Sequence, residues 1–339
     1  KNGFACIKIA GKVVNIRTDK DGKYIVKRDY STEGFSKRFF SVLGSSPFSK
    51  QLSQRLNFDY SQKSEPVNFG GTPNVVAKIF NNALFGAEED RRSVSCYLPR
   101  NAERVSLDSF AGQLNGRLYK TGNPEDKKTV VFIHGSDSSA EAQSSDLATT
   151  YNQNGYNVLA VNMRGYGKSD GVPSEKGMYS DAQVMFDYVH KTLGVPEGDI
   201  LIHGYSLGGP VAANLYKHLE LSGLKTAGLI LDRPMPSMRS AIVAHEMLNP
   251  IGLVGLISSS INGKFDVQEN LKGIDVSANI MLITDNEGLG AEGEKMRLAL
   301  AKSGINTVGS SVCGDHQDTM EAMKTIFNEN NKEFFSASI

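Results

Sequence analysis

Residues 199–209, Asp-Ile-Leu-Ile-His-Gly-Tyr-Ser-Leu-Gly-Gly, constrain this chain more than any other stretch. An apolar run enters Gly204-x-Ser206-x-Gly208, and a helix-like stretch leaves it. A strand that reverses into a helix within so few residues strains the backbone of Ser206. It also brings neighbouring chain so close that a side chain at 204 or 208 would clash. Pro210 stands in a first helical turn, where its missing N–H has no partner to lose. With 34 glycines a bare match to this pattern would mean little. The strand before it and the helix after it make Ser206 a candidate nucleophile.

Composition narrows the setting. The 339 residues suggest one large or two modest domains, and a hydrophobic content of 40% allows a substantial core. No apolar run approaches the roughly eighteen residues that a spanning helix needs, so the chain reads as soluble. Basic and acidic residues balance at 37 each, which argues against a nucleic-acid partner. Cys6, Cys96 and Cys313 are odd in number and widely spaced, fitting neither a disulfide framework nor a metal site. A reducing, cytoplasmic compartment is expected, as are a monomer and a site with no metal or organic cofactor. The chain begins at Lys1 without a charged and apolar leader, as an excised or processed piece would.

A division is expected near residue 93. Before it, Ala5 to Ile9, Val13 to Ile16 and Tyr24 to Val26, with a turn at 19–22, read as an antiparallel hairpin system. Phe35, Phe39, Phe40 and Leu43, and then Val75, Val76, Ile79, Phe80, Ala83 and Leu84, stand at helical spacing and read as packing stripes. Residues 1–93 are thus expected to form a small α+β accessory domain. From 94 to 339 strands alternate with helices, the pattern of a mostly parallel sheet covered on both faces.

This second region holds the other parts of a site. Thr129-Val130-Val131-Phe132-Ile133 reads as a strand buried on both faces, ending in His134-Gly135-Ser136. An oxyanion hole needs two amides aimed at one point. Leu207 supplies one, as the residue after the nucleophile, and Ser136 is expected to supply the other. His134, placed between strand and glycine, reads as a loop-ordering residue. The next strand leads into Arg164-Gly165-Tyr166-Gly167-Lys168-Ser169, which matches no phosphate-cradle pattern.

His134-Gly135, Arg164-Gly165-Tyr166-Gly167-x-Ser169, Gly204-x-Ser206-x-Gly208 and Gly314-Asp315-His316 occur in the order found in the α/β-hydrolase superfamily, which the chain resembles from about 94 to 339. Pro173 to Lys176 followed by Met178-Tyr179-x-Asp181 is similar to the subgroup of membrane-associated acyl-protein thioesterases and related lipases. With its separate N-terminal region and a start that lacks methionine, the chain also resembles the α/β-hydrolase effector domain of multifunctional autoprocessing repeats-in-toxin (MARTX) proteins. That resemblance implies a phospholipase A1 acting on phosphatidylinositol 3-phosphate inside a host cell, after secretion and delivery to its cytoplasm.

The general base is expected at His316, on the loop beyond a last strand at 308–313. The other five histidines fall in helices, in the elbow strand, in an insertion, or at 134. The acid should follow the strand at 280–283, where Asp285 and Glu287 lie 31 and 29 positions before His316. Asp232, one strand earlier, is a third candidate. Residues 234–279 read as a modest cap insertion whose apolar density suits acyl chains or a bilayer surface. Arg233 and Arg239 bracket its start as candidate ligands for an anionic lipid head group, with pairing of Arg233 to Asp232 as the competing role. The chemistry expected is serine hydrolysis of membrane-lipid acyl esters. Thioester or carboxylester cleavage, or a non-catalytic binding module on the same scaffold, are the alternatives.

Overall fold

The computed structural model describes residues 4–9, 12–18, 24–29, 85, 99, 101–136, 138–238, 240, 265–275, 277–285, 290–312 and 319–336. Near the N-terminus β1 (Phe4–Ile9), β2 (Lys12–Thr18) and β3 (Tyr24–Asp29) form an antiparallel sheet of their own, in the order β1-β2-β3. This is the hairpin system read from the sequence. The helical stripes expected at 35–43 and 75–84 lie outside the described residues.

The second sheet begins with β4 (Ala102–Ser109) and β5 (Gly112–Tyr119), an antiparallel hairpin where helices alternating with strands were expected. Alternation then sets in. β6 (Thr129–Ile133), α1 (Ala140–Gln153), β7 (Asn157–Val161), α2 (Glu175–Asp187), β8 (Ile200–Tyr205), α3 (Gly208–Leu221) and β9 (Gly228–Asp232) follow. After them come α4 (Val267–Leu271), β10 (Ile280–Asp285), α5 (Gly290–Lys302), β11 (Val308–Val312), α6 (Thr319–Ile326) and α7 (Lys332–Ser336). The strand order is β11-β10-β9-β8-β6-β7-β5-β4, with β5 alone running against the others. The fold is therefore the mostly parallel, doubly covered sheet that the sequence predicts.

Every residue of β6, β8 and β9 is buried, as strands covered on both faces must be. One face packs Ile202, Leu229, Leu231 and Leu282 against Met185 and Phe186 of α2, Val211 and Leu215 of α3, and Leu271 of α4. The other packs Val130, Phe132, Ile230 and Ile283 against Leu147 and Tyr151 of α1, Met323 of α6 and Phe334 of α7. Helix starts are written locally. Ser139 accepts the Ala142 amide to cap α1, Ser174 accepts that of Gly177 to cap α2, and Asp266 accepts that of Glu269 to cap α4.

Two glycines join α3 to the sheet. A Cβ at Gly208 would lie 2.0 Å from the Ile133 carbonyl oxygen, and one at Gly204 would lie 2.5 Å from the Gly208 carbonyl oxygen. Gly208→Ala is therefore expected to lower stability by about 2 kcal/mol or more, because backbone of β6 would have to move. Gly198→Ala, with nothing within 4 Å of the added atom, should stay within about 0.5 kcal/mol of wild type. Urea unfolding of the two variants checks this.

Candidate active site

The carboxyl ends of the parallel strands share one edge of the sheet, and those candidate residues that are described, Ser136, Ser206, Leu207, Asp232, Arg233 and Asp285, lie along it. Ser206 follows β8 with φ 51°, a left-handed conformation that residues bearing a side chain rarely adopt. Its amide donates to the Asp232 carbonyl at 3.0 Å, and its carbonyl accepts the amides of Gly209 at 3.0 Å and Met235 at 2.9 Å. The elbow is thus strapped to the chain leaving β9. Leu207 caps α3, so its amide heads a helix where no intrahelical acceptor exists.

Across from the elbow, Gly135 lies so close that a Cβ there would sit 3.1 Å from Ser206 Cβ. Gln143 pins this loop: its Oε1 accepts the Gly135 amide at 2.7 Å and its Nε2 donates to the Ser136 carbonyl at 3.2 Å. The Ser136 amide has no hydrogen-bond acceptor among the described residues. Nothing in the sequence marked Gln143, since one glutamine seven positions along has no pattern to stand out from.

His134 is fully buried. Its Nε2 accepts the Met163 amide at 3.0 Å, which leaves Nδ1 to donate to the Gly135 carbonyl at 2.7 Å, and its ring meets Tyr166 edge-on at 4.8 Å. Both nitrogens of the neutral ring are engaged, so it orders the loop. Burial drives its pKa from 6.5 down to about 4, against the raising effect of the Gly135 carbonyl. The loop after β7 is fixed as firmly. Arg164 holds Asp181 by Nε to Oδ2 at 3.0 Å and Nη2 to Oδ1 at 2.7 Å, and its amide donates to the same carboxylate at 2.8 Å.

Two of the three acid candidates are placed. Asp232 is 1% exposed and accepts Arg233 Nε on Oδ1 at 2.8 Å and Nη2 on Oδ2 at 3.1 Å. Oδ2 also lies 3.4 Å from Nε2 of buried His203, whose Nδ1 meets the Tyr151 hydroxyl at 3.0 Å. Burial would raise the Asp232 pKa, but His203 and Arg233 outweigh it and bring it to about 2. Asp285, also buried, ends β10 opposite Val312, the last residue of β11. β11 ends at Val312, four positions before His316 in the sequence. His316, Glu287, Arg239 and nearly all of the expected cap lie outside the described residues.

Arg233 is corrected by the structure. It is 2% exposed, is bound to Asp232 through two nitrogens, and has its guanidinium carbon 5.0 Å from the centre of the Tyr205 ring. It works as an internal ion-pair partner, and the head-group role expected for it is set aside. The same pairing engages both oxygens of Asp232.

Comparison with known proteins agrees with this architecture. Residues 124–287 match the family described as serine aminopeptidase, S33. The crystal structure of an α/β hydrolase from Vibrio vulnificus is 39% identical, covers 82% of this chain and 98% of its own, and superposes with a TM-score of 0.71. The chain belongs to the α/β-hydrolase family. It is also 44% identical over 264 residues to a multifunctional-autoprocessing repeats-in-toxin of Vibrio vulnificus, an alignment that spans 73% of this chain and 5% of the toxin. Over 120 residues it is 32% identical to lysophosphatidylserine lipase ABHD12 of Danio rerio, covering 34% of this chain and 30% of that protein. Among the described residues no helix is long and apolar enough to cross a membrane, and no group of three or more His, Cys, Asp or Glu could hold a metal ion.

The state of His134 gives a stability prediction. Its folded pKa lies below the unfolded value, so the unfolded chain takes up the proton first, and stability falls as pH drops from 6.5 towards about 4. The loss is expected to be on the order of 3 kcal/mol. Urea unfolding of wild type and His134→Gln at neutral pH and near pH 4 tests this, because the gap between them should narrow on acidification.

Proposed function

We propose that the chain is a serine hydrolase that cleaves acyl esters of membrane lipids. The observation that carries the reading is the left-handed Ser206 between a buried strand and a helix headed by the Leu207 amide. On this reading Ser206 Oγ attacks the acyl carbonyl and its proton passes to His316. The tetrahedral oxyanion is stabilised by the amides of Leu207 and Ser136. Collapse breaks the ester bond as His316 returns the proton to the departing alcohol. Water, deprotonated by His316, then releases the fatty acid and regenerates Ser206. Asp285, or Glu287 in its place, orients His316. None of these steps calls for a cofactor.

Support for a lipid substrate comes from the lysophosphatidylserine lipase relative, and support for an effector role comes from the toxin relative. The narrower reading is a phospholipase A1 acting on phosphatidylinositol 3-phosphate, delivered to a host cytoplasm and working as a monomer at the membrane surface. Arg239 is then the remaining candidate for the head group.

Ser206→Ala and His316→Ala should each lower acyl-ester turnover at least several hundred-fold, and the double variant should lose little more, because the two act as one unit. A fluorophosphonate probe should label wild type and not Ser206→Ala. Product analysis on mixed phospholipid vesicles separates lysolipid plus free fatty acid from no lipid product. Wild type that instead turns over only a soluble thioester would replace the lipase with a thioesterase. Labelling of neither protein would leave a binding module.

A second series identifies the acid. Asp285→Asn is expected to reduce turnover by about 10⁴ at neutral pH with a small change in stability, while Glu287→Gln stays mild. The reverse ranking assigns Glu287. Asp232→Asn should show itself chiefly in urea unfolding, through the broken buried pair.

A further inference from the structure

Among the described residues three that bear a side chain have a left-handed backbone: Ser206, Arg233 and Phe265. The first two form and flank the elbow. Phe265, at φ 38°, stands far along the chain, one residue before Asp266 caps α4. A bulky residue in that conformation is strained and persists only where its surroundings hold it there.

They hold it by backbone and by ring. The Phe265 amide donates to Glu175 Oε1 at 2.7 Å, and the same oxygen accepts the Tyr179 hydroxyl at 2.7 Å. Burial, and after it the Glu175 charge, raise the Tyr179 pKa well above its ordinary value, so the hydroxyl keeps the proton it donates. The fully buried ring of Phe265 has Tyr179 at 6.1 Å and Phe85 at 5.9 Å, centre to centre. Phe85 lies upstream of the division expected near residue 93, yet it is buried in the core that α2 and α3 line. Asn270 of α4 completes the grip: its Nδ2 donates to the Tyr179 hydroxyl at 2.8 Å and to the Pro210 carbonyl of α3 at 2.9 Å.

Glu175 and Tyr179 stand one helical turn apart on α2, within the stretch from Pro173 to Asp181 that the sequence singles out. Ser174 caps the helix and Asp181 holds Arg164, so these two have a separate task. From Phe265 the contacts reach Ser206 in two steps. The Val267 amide donates to the Pro236 carbonyl at 3.0 Å, which joins the two described ends of the expected insertion, and the Met235 amide donates to the Ser206 carbonyl at 2.9 Å. The outgoing end also lies on α3, since a Cβ at Gly209 would fall 2.4 Å from Pro234 Cβ. Of the two amides on the Ser206 carbonyl, that of Gly209 comes from the elbow itself; that of Met235 depends on where this outgoing end is held.

We propose that Glu175 and Tyr179 are positioning residues for Ser206: they fix Phe265, Phe265 fixes the paired segments 234–238 and 265–267, and these hold the Ser206 carbonyl in the left-handed elbow. The proposal rests on the reading of Ser206 as the nucleophile. Glu175 and Tyr179 act through the backbone beside it and not on the acyl group.

Three variants of the full chain test this. Glu175→Ala removes the shared acceptor, Glu175→Gln keeps an oxygen in its place, and Tyr179→Phe removes the hydroxyl but keeps the ring. Glu175→Ala should react with a fluorophosphonate probe and turn over a short soluble ester about ten-fold or more slowly, through kcat with KM little changed. Tyr179→Phe should slow both by less, and Glu175→Gln should recover most of the wild-type rate. Hydrogen exchange should quicken at the Met235 and Val267 amides of Glu175→Ala while β6 and β8 keep their protection. Glu175→Ala reacting like wild type overturns the role, as does a loss that Glu175→Gln fails to recover or protection that falls evenly across the fold. If Glu175→Ala does not fold, Tyr179→Phe decides, and a wild-type rate in that variant overturns the role. Wild type that neither reacts with the probe nor hydrolyses the ester removes the nucleophile reading instead. Exchange at Met235 then upholds the bracing of residue 206 if it quickens in Glu175→Ala and overturns it if it does not.

Discussion

The left-handed backbone of Ser206 is the constraint around which the carboxyl edge is built. A side-chain-bearing residue in that conformation costs about 1 to 3 kcal/mol, so the surroundings must over-determine it. They do so from three sides. Its amide is taken by the Asp232 carbonyl, its carbonyl receives two amides, and Gly135 and Gly208 bring the β6 loop against it with no space for a methyl group. The conformation cannot relax without opening the junction of β6, β8 and α3. That rigidity is what the proposed nucleophile would need, because an attacking oxygen displaced by an ångström loses its alignment with the proposed oxyanion donors.

A second left-handed residue stands beside the first. The register pairs Tyr205 with Asp232, so Arg233, at φ 43°, lies level with Ser206. Its amide donates to the Ile283 carbonyl at 2.8 Å, while its side chain turns back over Asp232 and Tyr205. Burying this ion pair is costly in itself, and a well-packed apolar pair could replace it without loss of stability. What it contributes is attachment. Asp232 reaches His203 in β8 and through it Tyr151 in α1, so one set of polar contacts fastens two neighbouring strands and a helix directly beneath the elbow.

Much of this was legible in the sequence, and the exceptions have physical reasons. The elbow glycines and the apolar runs of β6, β8 and β9 could be read because each reports a local requirement: space, burial or turn geometry. The acid could not be read, since spacing along the chain measures separation and says nothing about which partner a carboxylate already holds. Asp232 is committed to its sequence neighbour Arg233 and to His203, a pairing that appears only when two strands lie in register. The same blindness gave Arg233 two roles of similar weight, because a guanidinium near an apolar segment looks alike whether it faces a head group or an internal carboxylate. The β4–β5 hairpin was missed because its strands alternate buried and exposed residues too briefly to separate from the pattern that follows.

The edge divides into two kinds of structure with different tasks. The loops after β6 and β7 are fixed by neutral His134, by Gln143 and by the Arg164–Asp181 pair, so Ser136, the proposed second oxyanion donor, and the hairpin tip belong to one braced body. Such a body suits any acyl substrate, which is why the shared fold leaves the reaction's specificity open. On the proposed reading, discrimination among acyl chains and head groups then comes from groups this body does not contain. The apolar stretch after Arg233 and the segments that follow β10 and β11 are the parts of the chain with the composition to supply it. On the proposed reading the braced half fixes where a carbonyl must lie for attack, and selection of that carbonyl falls to the rest of the chain.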